Sequence, residues 1–531
     1  MKKIYINTIL ILSLLFASTS CEDYLEEEVY NSFGDTDFPT EATIETMVNS
    51  AHHFMGMLVV FNHRMFWATE FPTPVFQYSF RAVHPRNNLS TWSWNNEFGD
   101  PAYFDIMERL WDVVRMSNDI IEKAPQIEME DAGRQAEIVA EAKFLRGMAY
   151  FYAVRLWGGM PIVDKPQTLT DDLFPARASI EETYAFLIQD FKDAAAVLPT
   201  RSEYTNRGFN EGHITKGTAQ GMLAKAYITM GGAPLNDRSN LEEAKTLLEK
   251  VIQSGQYSLV QSDTPYKDLW DWQNENNSEM MYSIQKEGLV QNYRGMFGYM
   301  TPNDATEGIW TSGQDFSRGS ALDGVTPEFA KWYASHDSGP RYKWTIVTEY
   351  QLLNDKPPFK AGDILHMEDG PQAQAYQGKW RAVGAELDNN FFCPNNFPVL
   401  RYADILLLHS EVTNELGAAD YTGLNAIRER AGLPVLSGLS QDDFRDAVFI
   451  ERDLELTYEQ NMLFDMRRRG LDYTKSKLEG FFNPNQNESA PGAGDGYPQD
   501  FQFSIEPHRM LFPYPPRELL SNPNLEQNPG Y

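Results

Sequence analysis

Apolar side chains recur three and four residues apart through much of the first half of this chain, and again near its end. In residues 141–156 they fall at Ala142, Leu145, Ala149, Tyr152 and Leu156, with Phe144, Met148 and Phe151 widening the stripe. An α-helix turns once in about 3.6 residues, so this spacing predicts a helix with a broad buried face. It should stop at Gly158 and Gly159, ahead of Pro161, because glycine and proline punctuate helix ends. Residues 217–255 read as a helical hairpin. Ala219, Met222, Leu223, Ala226 and Tyr227 line its first helix, a turn spans 231–240, and 241–252 forms the second. Small residues let the two approach closely. The second helix, EEAKTLLEKVI, has the Ala and Leu spacing of a tetratricopeptide unit, although the turn is longer than that repeat's usual one. Further helices are predicted at 402–416, 421–431 and 441–459.

Between about 259 and 398 the pattern changes. Aromatic, Gly, Pro and Asn residues dominate, and the alternation at Met281, Ser283 and Ile284 is weak, which predicts irregular structure with short strands. Residues 482–500 read as an exposed loop. Asn483, Asn485 and Asn487 alternate as calcium-loop ligands do, but carboxylates are missing where a cation needs charge. The expected fold is therefore mainly α: tetratricopeptide-like helix pairs, imperfectly repeated, plus a large irregular region with short strands. One folded body is expected over 41–531, with its helical scaffold at about 41–258 and 399–470 and a C-terminal extended segment at 471–531.

The N-terminus adds a compartment. Lys2 and Lys3 precede an uncharged, largely apolar run, and Ala17, Ser18, Thr19 and Ser20 lead to Cys21. This predicts a signal peptide over 1–20. The run is too short to span a bilayer, which takes roughly 20 apolar residues. A cysteine directly after small residues is where bacterial export machinery attaches lipid, so Cys21 is the expected anchor, held firmly by several acyl chains. Residues 21–40 then form a lipidated, acidic tether.

With lipid on Cys21, the only other cysteine is Cys393, so no internal disulfide is expected and stability must come from a core. At 531 residues and 42% hydrophobic, the chain can build one. Its formal charge of −30 becomes −32 once residues 1–20, with two lysines and no acids, are removed. Such a surface repels polyanions and excludes nucleic acid as a partner.

Motifs for chemistry are missing. There is no glycine-rich phosphate loop followed by Lys and Ser or Thr, no HExxH, no paired CxxC and no GxSxG elbow. His52 and His53 are adjacent and diverge on a helix, so no metal site is expected, and no cofactor either. Carboxylates are abundant, but abundance is not a motif. Glu451, Asp453, Glu455 and Glu459, with Arg452, read as a salt-bridged helix face with contacts to Arg467 or Arg468.

Eight segments in order carry a family resemblance: WDVVRMSNDII from Trp111, EAKFLRGMAYFYAVRLWGGMPIV from Glu141, TKGTAQGMLAKAYI from Thr215, PVLRYADILLLHSEVTNE from Pro398, LNAIRERAGLP from Leu424, ERDLELTYE from Glu451, DMRRRG from Asp465, and FPYPPRELLSNPNLEQNPGY at the end. Together they resemble the SusD/RagB family of outer-membrane nutrient-binding lipoproteins over nearly the whole chain. Departures fall at His213, His409, Ser410, Met462 and Arg469, and bear on local packing. The acids after Cys21 (Glu22, Asp23, Glu26, Glu27 and Glu28) resemble the surface-export signals of Bacteroidetes lipoproteins, which implies the outer face of the outer membrane.

The resemblance implies a binding protein, not an enzyme, that captures a glycan fragment and closes as a lid over a SusC-like, TonB-dependent barrel. The alternative is a helical-repeat surface lipoprotein that binds peptide or protein cargo. Sugar binding needs flat aromatic faces bordered by groups that pair with hydroxyls. Trp92 and Trp94, on an expected loop ahead of the helix of Trp111, are the first candidates, with Asn96 and, as polar partner, Arg81. The family also implies a ligand-facing role for 259–398, which adds Tyr293 and Trp310. Alternation at Trp92 and Trp94 equally suits a half-buried strand.

Overall fold

A computed structural model describes residues 40–56, 64–78, 87–94, 101–209, 212–286, 311–312, 323–352, 360, 362–366, 375–380, 395–481 and 505–531. Among them, twelve helices have eight or more residues: α1 (Glu41–Gly56), α2 (Pro101–Lys123), α3 (Ala132–Trp157), α4 (Ile180–Val197), α5 (Lys216–Met230), α6 (Leu241–Gln253), α7 (Pro327–His336), α8 (Tyr402–Glu415), α9 (Thr422–Arg430), α10 (Gln441–Glu455), α11 (Met462–Arg469) and α12 (Leu471–Phe481). Their starts are set locally. Asp131 accepts from the amides of Gly133 and Arg134 to begin α3, and Ser179 with Glu182 forms a reciprocal capping box on α4. At the end of α3, Gly158 takes a left-handed φ of 83°, the conformation that favours glycine.

Packing runs along the chain. α3 lies between α2 and α4, α4 meets α5, α5 pairs with α6, α6 meets α8, and α8 carries α9 and α10. Each helix buries one stripe on the last and another on the next, giving the successive helix pairs of a tetratricopeptide-like array. Gly221 shows how close they come: a β-carbon there would sit 2.7 Å from Cδ1 of Ile405 on α8. Strand Met280–Ile284 pairs antiparallel with Phe397–Arg401, so the two ends of the irregular region are tied together. The remaining strands run two to four residues. The fold is mainly α, with short strands, as the sequence predicts.

Two expectations are corrected. The helix expected over 441–459 stops at Glu455, and Tyr458 and Gln460 turn left-handed with φ of 70° and 59°. The carbonyl of Glu455 accepts from Lys379 and Arg401 instead of continuing the ladder, and Glu70 accepts from the amide of Gln460 at 2.8 Å. Secondly, the stretch 471–531 opens with helix α12 and ends with a short helix, Pro516–Ser521, instead of being extended throughout. The candidate calcium loop at 482–500 lies outside the described residues.

The acids expected to make a salt-bridged helix face do form ion pairs, but in the interior and partly beyond the end of α10. Glu451, Glu455 and Glu459 are buried and meet cations from distant segments. Arg341 reaches Glu451 at 2.6 Å, Arg430 reaches Glu455 at 2.8 Å, and Arg401 and Lys379 both reach Glu459 at 2.7 Å. Burial alone would raise the Glu455 carboxyl, yet Arg430, Arg401, Arg341 and Lys379 hold it well below the usual range. Alongside, Arg452 bridges Asp465 at 2.7 Å and Asp404 at 2.6 Å, and Lys225 meets Asp404 at 2.8 Å. The partners expected from sequence, Arg467 and Arg468, are used elsewhere. Arg468 pairs with Glu411 and Asp465, and Arg467 lies over the Phe512 ring.

Candidate ligand-binding face

The residues singled out for sugar binding separate in the structure. Trp92 and Trp94 follow a short helix, Asn87–Ser90, but both indoles are in the core, 0% and 1% exposed. Trp92 Nε1 donates to the Pro72 carbonyl at 2.8 Å, and Trp94 Nε1 donates to the Tyr531 hydroxyl at 2.7 Å. Their rings lie 4.9 Å apart, with Phe512 edge-on to Trp94 at 4.9 Å. Neither presents a face to solvent, so the expectation of paired exposed platforms is corrected to paired core anchors. The cause is the C-terminal tail, which folds back over them. Trp92 also holds a left-handed φ of 54°, uncommon for a bulky residue, and Arg509 donates to its carbonyl at 2.7 Å. Arg81, Asn96, Tyr293 and Trp310, like Cys21, lie outside the described residues.

Half-buried aromatics that the sequence reading did not single out are Trp272, Trp332, Tyr342 and Trp344. Trp332 stacks on Phe329 (5.4 Å, 27°) and meets Phe481 edge-on, forming an aromatic ridge on α7. The i, i+3 spacing of Phe329 and Trp332 was the available signal.

Charged groups are spent on structure. Glu141, fully buried on α3, accepts from Arg134 at 2.6 Å and lies 3.3 Å from His52 and 3.5 Å from His213. Burial opposes its ionisation, but His213, His52 and Arg134 hold its carboxyl well below the usual range. His52 and His213, on separate elements, thus converge on one carboxylate. Glu70 differs: burial pushes its carboxyl up to about 8, the Gln460 amide pulling weakly the other way, and its Oε2 has no hydrogen-bond partner. Lys379, desolvated beside it, is lowered to about 8. Among the described residues no group of three His, Cys, Asp or Glu has metal-site geometry, and no helix is long and apolar enough to cross a membrane.

Helix pairs of tetratricopeptide type, an irregular insertion between two paired strands and a tail locked over a tryptophan pair define a mainly α scaffold of SusD type. Residues 272–531 match the profile described as the SusD family, and residues 23–228 match that described as "Starch-binding associating with outer membrane". The chain belongs to the SusD/RagB family. It is 25% identical to SusD-like protein P38 of Formosa agariphila, over 99% of this chain and 98% of that one. A SusD homolog of Bacteroides thetaiotaomicron shares the fold with a TM-score of 0.76 at 21% identity, covering 92% and 97% of the two chains. Surface glycan-binding protein A from Bacteroides fluxus does so with a TM-score of 0.69 at 20% identity, covering 93% and 100%.

Proposed function

We propose that this chain is a surface glycan-binding lipoprotein of the outer membrane, anchored through Cys21, which captures oligosaccharide and passes it to a SusC-like, TonB-dependent barrel. The observation that carries this reading is the family match, whose N-terminal profile is described by starch binding and outer-membrane association. A shared fold with a surface glycan-binding protein supports it. In this reading the protein binds without turnover, and the buried carboxylates of Glu451, Glu455 and Glu459, each paired with cations, serve the fold. Ligand contact falls to Arg81, Asn96, Tyr293 and Trp310. Trp92 and Trp94, buried in the core, serve the fold and make no ligand contact. Binding by a ring face and its polar border suits a neutral sugar, in keeping with a protein of charge −30.

Affinity electrophoresis through gels holding plant, host and microbial polysaccharides tests this. Retardation by one glycan, reduced about tenfold or more in Trp310→Ala, is expected. Retardation by none, with binding to peptides instead, would replace the glycan reading by the peptide-cargo one.

A further inference from the structure

A small pocket lies between helix Arg201–Asn206, the turn before α5 and strand Met280–Ile284. Arg201, Tyr204, His213, Tyr257, Tyr282 and Ser283 are among the residues lining it. Three of these bring buried polar atoms without hydrogen-bond partners: the Tyr204 hydroxyl, Arg201 Nη1 and the Ser283 hydroxyl. Tyr204 is 4% exposed and Ser283 3%. Buried polar groups are nearly always paired, and three orphans on residues that line one cavity point to a ligand that completes them.

The chemistry of the wall narrows that ligand. In a chain with 75 acidic and 45 basic residues, the lining holds an arginine and a histidine and no Asp or Glu. All three orphan atoms can donate, and a guanidinium nitrogen can only donate. Glu141, behind His213, is already neutralised by Arg134 at 2.6 Å. The set is therefore complementary to an oxyanion.

It is also preformed. Arg201 Nη2 donates to the carbonyls of Asn276 at 2.5 Å and Asn277 at 3.1 Å, which fixes the guanidinium plane. Tyr204 stacks on His213 (5.1 Å, 20°), and Phe209 closes edge-on at 5.2 Å. Ser283 sits on a paired strand. The cavity volume of 40 Å³ is too small for a sugar ring, but admits a planar carboxylate or about three waters.

We propose that this pocket binds a carboxylate group, donated to by Arg201, Tyr204 and Ser283. The carboxylate comes from an acidic sugar or from the C-terminus of a peptide. This proposal does not rest on the glycan contacts proposed above.

Titration calorimetry of the full-length protein with acetate, glucuronate and N-acetyldiglycine tests it, beside the Tyr204→Phe/Ser283→Ala double variant. Both substitutions delete an unpaired buried hydroxyl, so the variant should melt no lower than wild type, which separates lost binding from lost fold. Wild type should bind acetate, and the variant about tenfold more weakly for each hydroxyl removed. Tighter glucuronate binding would identify the acidic sugar as source, and tighter N-acetyldiglycine binding the peptide. Binding of none of the three, or equal binding by the variant, would overturn the proposal and leave a pocket for ordered water.

Discussion

Trp92 and Trp94 show how far a residue's surroundings decide its role. Both sit next to Asn, Ser and Thr, and local sequence alone suits a platform as well as a plug. Trp94 is covered by Leu511, Phe512 and Tyr531, more than 400 positions away, and Trp92 is held by Pro72 and, at its carbonyl, by Arg509; no local pattern carries that information. Trp92→Ala should destabilise the fold by about 3–5 kcal/mol, read as a fall in the urea midpoint. Glycan retention lost by that variant would report unfolding, not a missing contact. Glu70 makes a second prediction. Its carboxyl stands at about 8 in the fold against the ordinary 4.5, so the folded state holds a proton that the unfolded chain has released across that interval. Stability should fall as pH rises from about 4.5 to about 8 and gain no further slope from Glu70 above it. Lys379, lowered to about 8, acts with the opposite sign above that pH. Glu70→Gln should flatten the fall between the two values, as measured by urea denaturation across the range. An unchanged slope would show that another group sets it.

At the scale of elements, the helices were legible because burial against one neighbour leaves a period near 3.6. α5, α6 and α8 start and stop within a few residues of the bounds expected, and α3 ends at Gly158 as expected but begins nine residues before the stripe at 141–156. The end of α10 was not legible, since hydrogen bonds from Arg401 and Lys379 to the Glu455 carbonyl, and from the Gln460 amide to Glu70, fix it, each involving a segment far away in sequence. The same holds for the pairing of Met280–Ile284 with Phe397–Arg401. The ERDLELTYE acids read from sequence as a salt-bridged helix face with contacts to Arg467 or Arg468; they are salt-bridged, but buried and to cations from other segments. Removing one partner of a buried pair leaves an uncompensated charge, so Arg401→Met should cost about 3–5 kcal/mol. Arg517→Met, which like its partner Glu108 is exposed, should cost far less. Equal losses in thermal unfolding would contradict this ranking.

For the whole molecule, eight ordered segments made the scaffold and the family legible before any coordinates, because motifs that hold helices together are spread along the chain. The ligand contacts were less legible: Arg81, Asn96, Tyr293 and Trp310 rest on the family's pattern, and platform spacing depends on how connecting segments are held. The central claim is capture of an oligosaccharide without chemistry. The most direct measurement is titration calorimetry with an oligosaccharide of the retained glycan, followed by mass spectrometry of that sugar after prolonged incubation. Saturable binding with the sugar's length unchanged is the predicted result. Shortening at a rate proportional to protein concentration would contradict it and make the chain an enzyme.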